Sequence, residues 1–221
     1  MTARTPSLKA LDAIARLCAR RWDYHYTRAK LRSDPVYGAV TEALQGSSLP
    51  VLDMGCGIGL LGHYLKACGH SVPVTGFDYD ERKIRSARHM AAAAGHTDMS
   101  FSAGDARTNM PDFSGHVVIL DILQFFTSEQ QTSLLAAAAA RVALGGRLII
   151  RSTLRDDSWR FQVTVLGDHL AKLTRWMKAS PTSYPDAEQI RRPLEQAGLS
   201  VSLRPLWGGT PFNNYLIIGQ R

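Results

Sequence analysis

Val51-Leu-Asp-Met-Gly-Cys-Gly-Ile-Gly-Leu-Leu-Gly62 is the stretch on which the reading of this chain turns. An apolar run of strand type ends at Asp53, glycines follow at Gly55, Gly57 and Gly59, and a helix-like segment, Leu60–Ala67, comes next. A strand that turns into a helix through glycines leaves backbone N–H groups uncovered. It also admits a ligand where no Cβ stands in the way. The stretch reads as a loop for a cofactor.

Gly57-x-Gly59-x-x-Gly62 satisfies the dinucleotide fingerprint literally, and Asp78 ends the next strand about 20 residues on, where a ribose-binding acid belongs. The acid ahead of the glycines points elsewhere. In Asp53-x-Gly55-x-Gly57-x-Gly59 a carboxylate would face a pyrophosphate with the wrong sign, but it suits a cofactor that carries an ammonium and a sulfonium. On these residues the chain resembles the class I S-adenosylmethionine-dependent methyltransferases. The resemblance covers residues 50–150 well and the tail loosely.

Outward from the loop, strand and helix alternate. Strand Val51–Met54 leads to helix Leu60–Cys68, strand Val72–Phe77 to helix Asp80–Ala94, and strand Met99–Ser102 to an irregular segment reaching Phe113. Strand His116–Leu120 precedes helix Ser128–Val142, and Gly145-Gly146 lead into strand Arg147–Arg151. That alternation implies right-handed βαβ units and a parallel sheet. Helical patterning spans Ser158–Met177 and Pro185–Ala197. The strand-like runs Leu199–Leu206 and Tyr215–Ile218 are joined too briefly for a crossover helix, so they pair antiparallel. The expected fold is α/β and Rossmann-like: a mostly parallel seven-stranded sheet with an antiparallel last strand and helices on both faces. Ahead of it, residues 1–48 form an N-terminal helical cap, with one helix from Leu8 to about Leu31 behind the N-cap Ser7 and a second, short one through Val40 and Leu44. Residues 49–221 form the cofactor-binding domain.

The net charge of +7 is uneven. Residues 1–32 hold eight basic and two acidic residues (+6), residues 33–150 sum to −3 and residues 151–221 to +4. The basic flanks are either solvated helix faces or a surface for an anionic partner, such as an acidic substrate, an acidic carrier protein, RNA or a membrane surface. No run of about 18 apolar residues offers a membrane span, and no secretory core follows the N-terminus. Three cysteines without metal spacing favour a reducing compartment, and the cytoplasm is the expected location. Cys56, inside the loop, reads as a small residue tolerated in a tight turn.

The resemblance assigns roles residue by residue. Asp53, Gly55, Cys56, Gly57 and Gly59 form the first motif. Asp78 accepts both ribose hydroxyls, Tyr79 covers a face of the adenine, and Asp105-Ala106 meets the adenine amine, although an Asx-turn is the alternative there. Asp80 is the better N-cap. Asp121, at the end of the fourth strand, lies near methionine and substrate. Many relatives have a histidine where this chain has Gln124, which removes a general base from that loop. His25, within Trp22-Asp-Tyr24-His25-Tyr26, is the candidate base, with Tyr24 beside it. Arg28 or Lys30 holds the methionine carboxylate or a substrate acid. The aromatics either form a lid over the cofactor or dock the helix on the sheet. Tyr26, Gln124, Phe125, Trp159, Arg160, Phe212 and Asn213 are candidate substrate contacts, the last two equally explicable by a hairpin turn. The remaining histidines, His63, His70, His89, His96, His116 and His169, form no ligand pattern and read as surface residues, and no metal cluster is visible.

The reading is methyl transfer from S-adenosylmethionine, leaving S-adenosylhomocysteine. The acceptor is a small aromatic or apolar molecule that bears an acid or rides on an acyl carrier protein. Rivals are a nucleic-acid methyltransferase, which lacks an N/D-P-P-[YF] signature here, an NAD(P) oxidoreductase, and a non-catalytic subunit that keeps the fold.

Overall fold

The computed structural model describes residues 5–108, 110–173 and 181–221, with only the backbone of 168–173. Contacts divide the chain into two compact units, one ending at Val118 and the other beginning at Ile119. The first contains α1 (Leu8–Arg16), α2 (Arg21–Ser33), α3 (Val36–Ala43), β1 (Val51–Met54), α4 (Leu60–Ala67), β2 (Val74–Asp78), α5 (Glu81–Ala93) and β3 (Met99–Ala103). Strand β4 (His116–Leu120) runs across the division. The second unit contains a 3-10 turn (Leu123–Phe125), α6 (Ser128–Ala140), β5 (Arg147–Thr153), α7 (Trp159–Leu173), α8 (Ala187–Gln196), β6 (Ser200–Pro205) and β7 (Asn214–Gln220).

The seven strands form one sheet in the order β3-β2-β1-β4-β5-β7-β6. β1 pairs in parallel with β2, and β2 with β3, whereas β7 runs antiparallel to both β5 and β6. This is the Rossmann-like sheet read from the alternation, with the reversed strand where the short connection demanded it. The helix starts also follow from the residues. Ser7 caps α1 by accepting from the Ala10 amide at 3.2 Å, and Thr127 with Gln130 and Asp186 with Gln189 form reciprocal capping boxes ahead of α6 and α8.

The N-terminal segment departs from expectation: the single helix to Leu31 is two helices, α1 and α2. A straight helix of that length would run about 36 Å and carry its later apolar residues into solvent. The chain instead turns after Arg16, bringing Thr27 Oγ1 to 3.4 Å from Cys18 Sγ, so that Leu11, Ile14 and Ala15 of α1 and Thr27 and Leu31 of α2 are all buried. Asp12 ties the pair, accepting from Arg28 and Arg32 at 3.0 and 2.7 Å. α1, α2 and α3 all pack on α4, so these helices belong to the same compact unit as the glycine loop and the units do not divide near residue 48.

Two histidines read as surface residues are buried. His63, on α4, is 1% exposed with the His96 ring 5.5 Å away, and His116, the first residue of β4, is 2% exposed. His116 Nε2 lies 2.7 Å from Ser47 Oγ. Burial and the neighbouring His96 push the His63 pKa down to about 4, so it stays neutral near neutrality. The expected helix to Met177 is described only to Leu173. Its last residues, Arg4 and the His169 side chain lie outside the described residues.

Candidate active site

The glycine loop turns its amides inward. Gly55 and Cys56 both donate to the Phe77 carbonyl, at 2.8 and 3.0 Å, and Gly59 donates to the Cys56 carbonyl at 2.9 Å. The Gly57 amide donates to Asp78 Oδ2 at 3.0 Å. At these four positions the expectation of uncovered N–H groups is therefore corrected: β2 supplies acceptors for three of them. A pyrophosphate cradle needs such amides pointing outward, so the literal dinucleotide spacing does not build one. Gly59 has φ +80°, and a Cβ there would stand 2.7 Å from the Phe101 ring. At Gly62 a Cβ would meet Met99 Cε at 2.6 Å, so this glycine serves the packing of α4.

Two buried carboxylates stand at the ends of β1 and β2. Asp78 is 5% exposed, its Oδ1 accepting from the Asp80 amide at 2.8 Å while Oδ2 holds Gly57. Asp53 is 3% exposed, and among the described residues no donor reaches its carboxylate and no lysine or arginine pairs with either acid. Burial, and then the charge of Asp78, push Asp53 up to about 7. Burial and the same two charges push the Cys56 thiol well up, which keeps it from acting as a nucleophile and agrees with its reading as loop filler. Asp80 caps α5 through the Arg82 amide at 3.0 Å, as expected. Tyr79 is 57% exposed.

Asp105 takes the Asx-turn form. Its Oδ1 accepts from the Arg107 amide at 2.9 Å and its carboxylate is gripped by the Arg107 guanidinium, which holds its pKa below the usual range. To meet an adenine amine it would have to share that carboxylate. Ala106 follows in the same turn.

On α2, Trp22 stacks on Tyr26 at 5.5 Å and Tyr24 meets His25 edge-on at 5.0 Å. Trp22 is half exposed and His25 exposed, while Thr27 and Leu31 are the buried residues of the helix. The aromatics are thus not the main docking surface. Arg28 and Lys30, expected to hold a ligand carboxylate, are instead paired with Asp12 and Asp34 at 3.0 and 2.7 Å, the acids nearest them. A groove of about 350 Å³ is lined by Arg20, Arg82, Arg85 and His89, with Ala19 and Ser86.

In the second unit Asp121 has φ +58°, a left-handed conformation uncommon outside glycine. Both its oxygens pair with the Arg151 guanidinium, Nε at 2.7 Å, and Arg151 is 3% exposed. A carboxylate held this way is an anchor rather than a free base. The Gln124 carbonyl accepts from the Thr182 and Ser183 amides at 2.6 and 3.2 Å, and its side-chain Oε1 is buried without a donor among the described residues. Gln131 Nε2 donates to the Leu123, Phe126 and Ser183 carbonyls, holding Phe125 in its turn. Trp159 is 62% exposed and Phe212 39%. The guanidinium of Arg160 lies over Trp159 at 4.8 Å and over Trp207 at 4.5 Å. Asn213 is fully buried, donating to Leu154 O and Asp156 Oδ2 at 2.9 and 2.8 Å, so it positions the loops and has no surface to offer a substrate.

Arg151 and Trp207 were missed in the sequence. An arginine inside the apolar run Leu148-Ile-Ile-Arg151-Ser152 was the available signal, since a buried guanidinium demands a carboxylate. For Trp207 no local pattern announced its partner.

Residues 51–146 match the family model described as "Methyltransferase domain". Over 125 residues the chain is 33% identical to ribosomal protein L11 methyltransferase of Burkholderia lata, covering 55% of this chain and 39% of that one. The chain thus spans about two-fifths of the length of that curated relative. Magnesium protoporphyrin IX methyltransferase from Synechocystis, solved with bound S-adenosylhomocysteine, superposes with a TM-score of 0.64 at 20% identity, over 84% of this chain and 80% of that one. An O-methyltransferase family 2 protein from Planctomyces limnophilus, in complex with apigenin, gives 0.66 at 19% identity, over 97% and 62%. The match over residues 51–146 is thus a likeness to a methyltransferase domain, set within a seven-stranded Rossmann-like sheet whose β7 is reversed.

Proposed function

We propose that the chain transfers a methyl group from S-adenosylmethionine to a small molecule. The observation that carries this reading is the buried pair Asp53 and Asp78, for which the described residues provide no cation. Two like charges in a poorly solvated place are costly, and the ligand that relieves them is cationic. The ammonium of S-adenosylmethionine suits Asp53, and its ribose hydroxyls suit Asp78, which the Gly57 and Asp80 amides hold in place. The matched methyltransferase domain and the S-adenosylhomocysteine bound by the Synechocystis enzyme support the same cofactor.

When bound, the cofactor supplies an activated methyl on a sulfonium. The chain's own task is orientation and exclusion of water, which can supply about 7–11 kcal/mol. For a hydroxyl acceptor we assign His25 as base, with Tyr24 against it, since Asp121 is committed to Arg151. Tyr79 covers the adenine, and Trp22 and Tyr26 form the lid. The acceptor is aromatic or apolar with an acidic group, supported by the exposed aromatics Phe212 and Trp159, the latter stacked on Arg160. The groove of Arg20, Arg82, Arg85 and His89 fits an acidic carrier protein. Three free thiols support a reducing, cytoplasmic setting, and among the described residues no helix is long and apolar enough to cross a membrane.

The raised pKa of Asp53 makes the cofactor assignment testable. Without ligand this group keeps its proton up to about 7, whereas an ammonium at its side favours the charged form. Binding then expels a proton at acidic pH, so affinity for S-adenosylhomocysteine should rise by up to about tenfold per pH unit on approaching 7 and level off above it. Calorimetry in two buffers of different ionisation enthalpy reads the released proton directly. Affinity independent of pH across that window contradicts the assignment of Asp53. Methyl transfer to aromatic acids, followed by S-adenosylhomocysteine release, tests the activity. Tight cofactor binding with no transfer to any acceptor would mark a non-catalytic subunit.

A further inference from the structure

Within the second unit the start of α7 and the link between β6 and β7 bring an arginine against two indoles. Arg160 stacks on Trp159 and Trp207 at 4.8 and 4.5 Å, and its Nη1 donates to the Thr210 carbonyl at 2.7 Å. Among the described residues nothing accepts from its Nε and Nη2, the fork whose spacing matches the two oxygens of a carboxylate. Trp207 Nε1 is also buried without an acceptor. Trp159 adds a large exposed ring.

These shortfalls have one sign. A guanidinium stacked on indoles has lost hydration on its faces and is solvated only at its edge, so an anion placed there gains more than at an open surface arginine. An indole N–H is a donor and nothing else, and leaving it buried and unpaired costs about 1–3 kcal/mol. Both groups lack an acceptor, and the exposed indole face offers stacking to a flat apolar ring.

We propose that Arg160 and Trp207 bind the carboxylate of an aromatic acid. The proposal concerns a binding site within the second unit, its ligand class and the residues that read it. A purely structural strut between two loops would not distinguish an acid from its amide.

The test uses the full chain, titrated with naphthoate, indoleacetate and hydroxybenzoate and with the corresponding neutral amides. Binding is followed by indole fluorescence and by the indole N–H resonances, with Trp207→Phe identifying the Trp207 signal. The acids should bind at least about tenfold more tightly than the amides and shift the Trp207 resonance. Arg160→Met should lose about tenfold for the acids and little for the amides, Trp207→Phe severalfold, and Arg160→Lys should recover part of the loss. S-adenosylhomocysteine affinity should be equal in all variants, which shows that each is folded. Equal binding of acids and amides, no binding of any acid at millimolar concentration, or an Arg160→Met variant with undiminished affinity overturns the proposal. Failure of the unaltered chain to bind S-adenosylhomocysteine strikes the methyl-transfer reading instead. The discrimination between acid and amide is measured without cofactor and stands or falls separately.

Discussion

Asp78→Ala should weaken S-adenosylhomocysteine binding about a hundredfold while the chain stays folded. Two charge-assisted hydrogen bonds to ribose hydroxyls, each about 1.5–3 kcal/mol, set that scale. Stability changes little because two effects oppose each other. The Gly57 and Asp80 amides lose their acceptor, at about 1 kcal/mol each, but Asp53 loses the like charge that helps raise its pKa. The same substitution should therefore move the pH dependence of any residual binding to lower pH. Titration and thermal melting on one preparation check both effects. Unchanged affinity would remove Asp78 from the ribose, and collapse of the fold would show that the loop amides depend on it more than two hydrogen bonds suggest.

Asp121→Ala should destabilise the protein by about 3 kcal/mol. It takes the carboxylate from a buried guanidinium and places a Cβ residue without a polar side chain at φ +58°, where alanine is disfavoured. Asp121→Asn should cost less than half as much, since asparagine tolerates that conformation and still accepts from Arg151. Urea unfolding of the two variants measures the difference. Equal stabilities for Asp121→Ala and the unaltered chain would mean that the ion pair contributes nothing and that Asp121 is available for other work.

The parts of this protein written in local chemistry could be read from the sequence. Gly59 needs a positive φ and cannot carry a Cβ beneath Phe101, and the short link before β7 left only an antiparallel pairing. Asp80 and Thr127 sit where N-caps belong. What escaped depends on contacts between distant residues. Nothing in Leu17-Cys-Ala-Arg20 breaks a helix, so the turn between α1 and α2 is set by the burial of Thr27 and Leu31. His63 looks like a surface residue until the fold brings distant His96 to 5.5 Å from its ring and buries it. Arg28 and Lys30 looked free to bind a ligand, but Asp12 and Asp34 claim them. In the glycine loop the sequence concealed that the amides of Gly55, Cys56 and Gly57 point inward, because their acceptors, Phe77 and Asp78, belong to the next strand.

The central claim is that this loop, with Asp53 and Asp78, holds S-adenosylmethionine and not a dinucleotide. Calorimetric titration of the full chain with S-adenosylmethionine, S-adenosylhomocysteine and NADH tests it most directly. Micromolar binding of the first two and no heat from NADH is the predicted result. NADH binding, or silence from all three, would contradict it and leave the buried carboxylates without their cation.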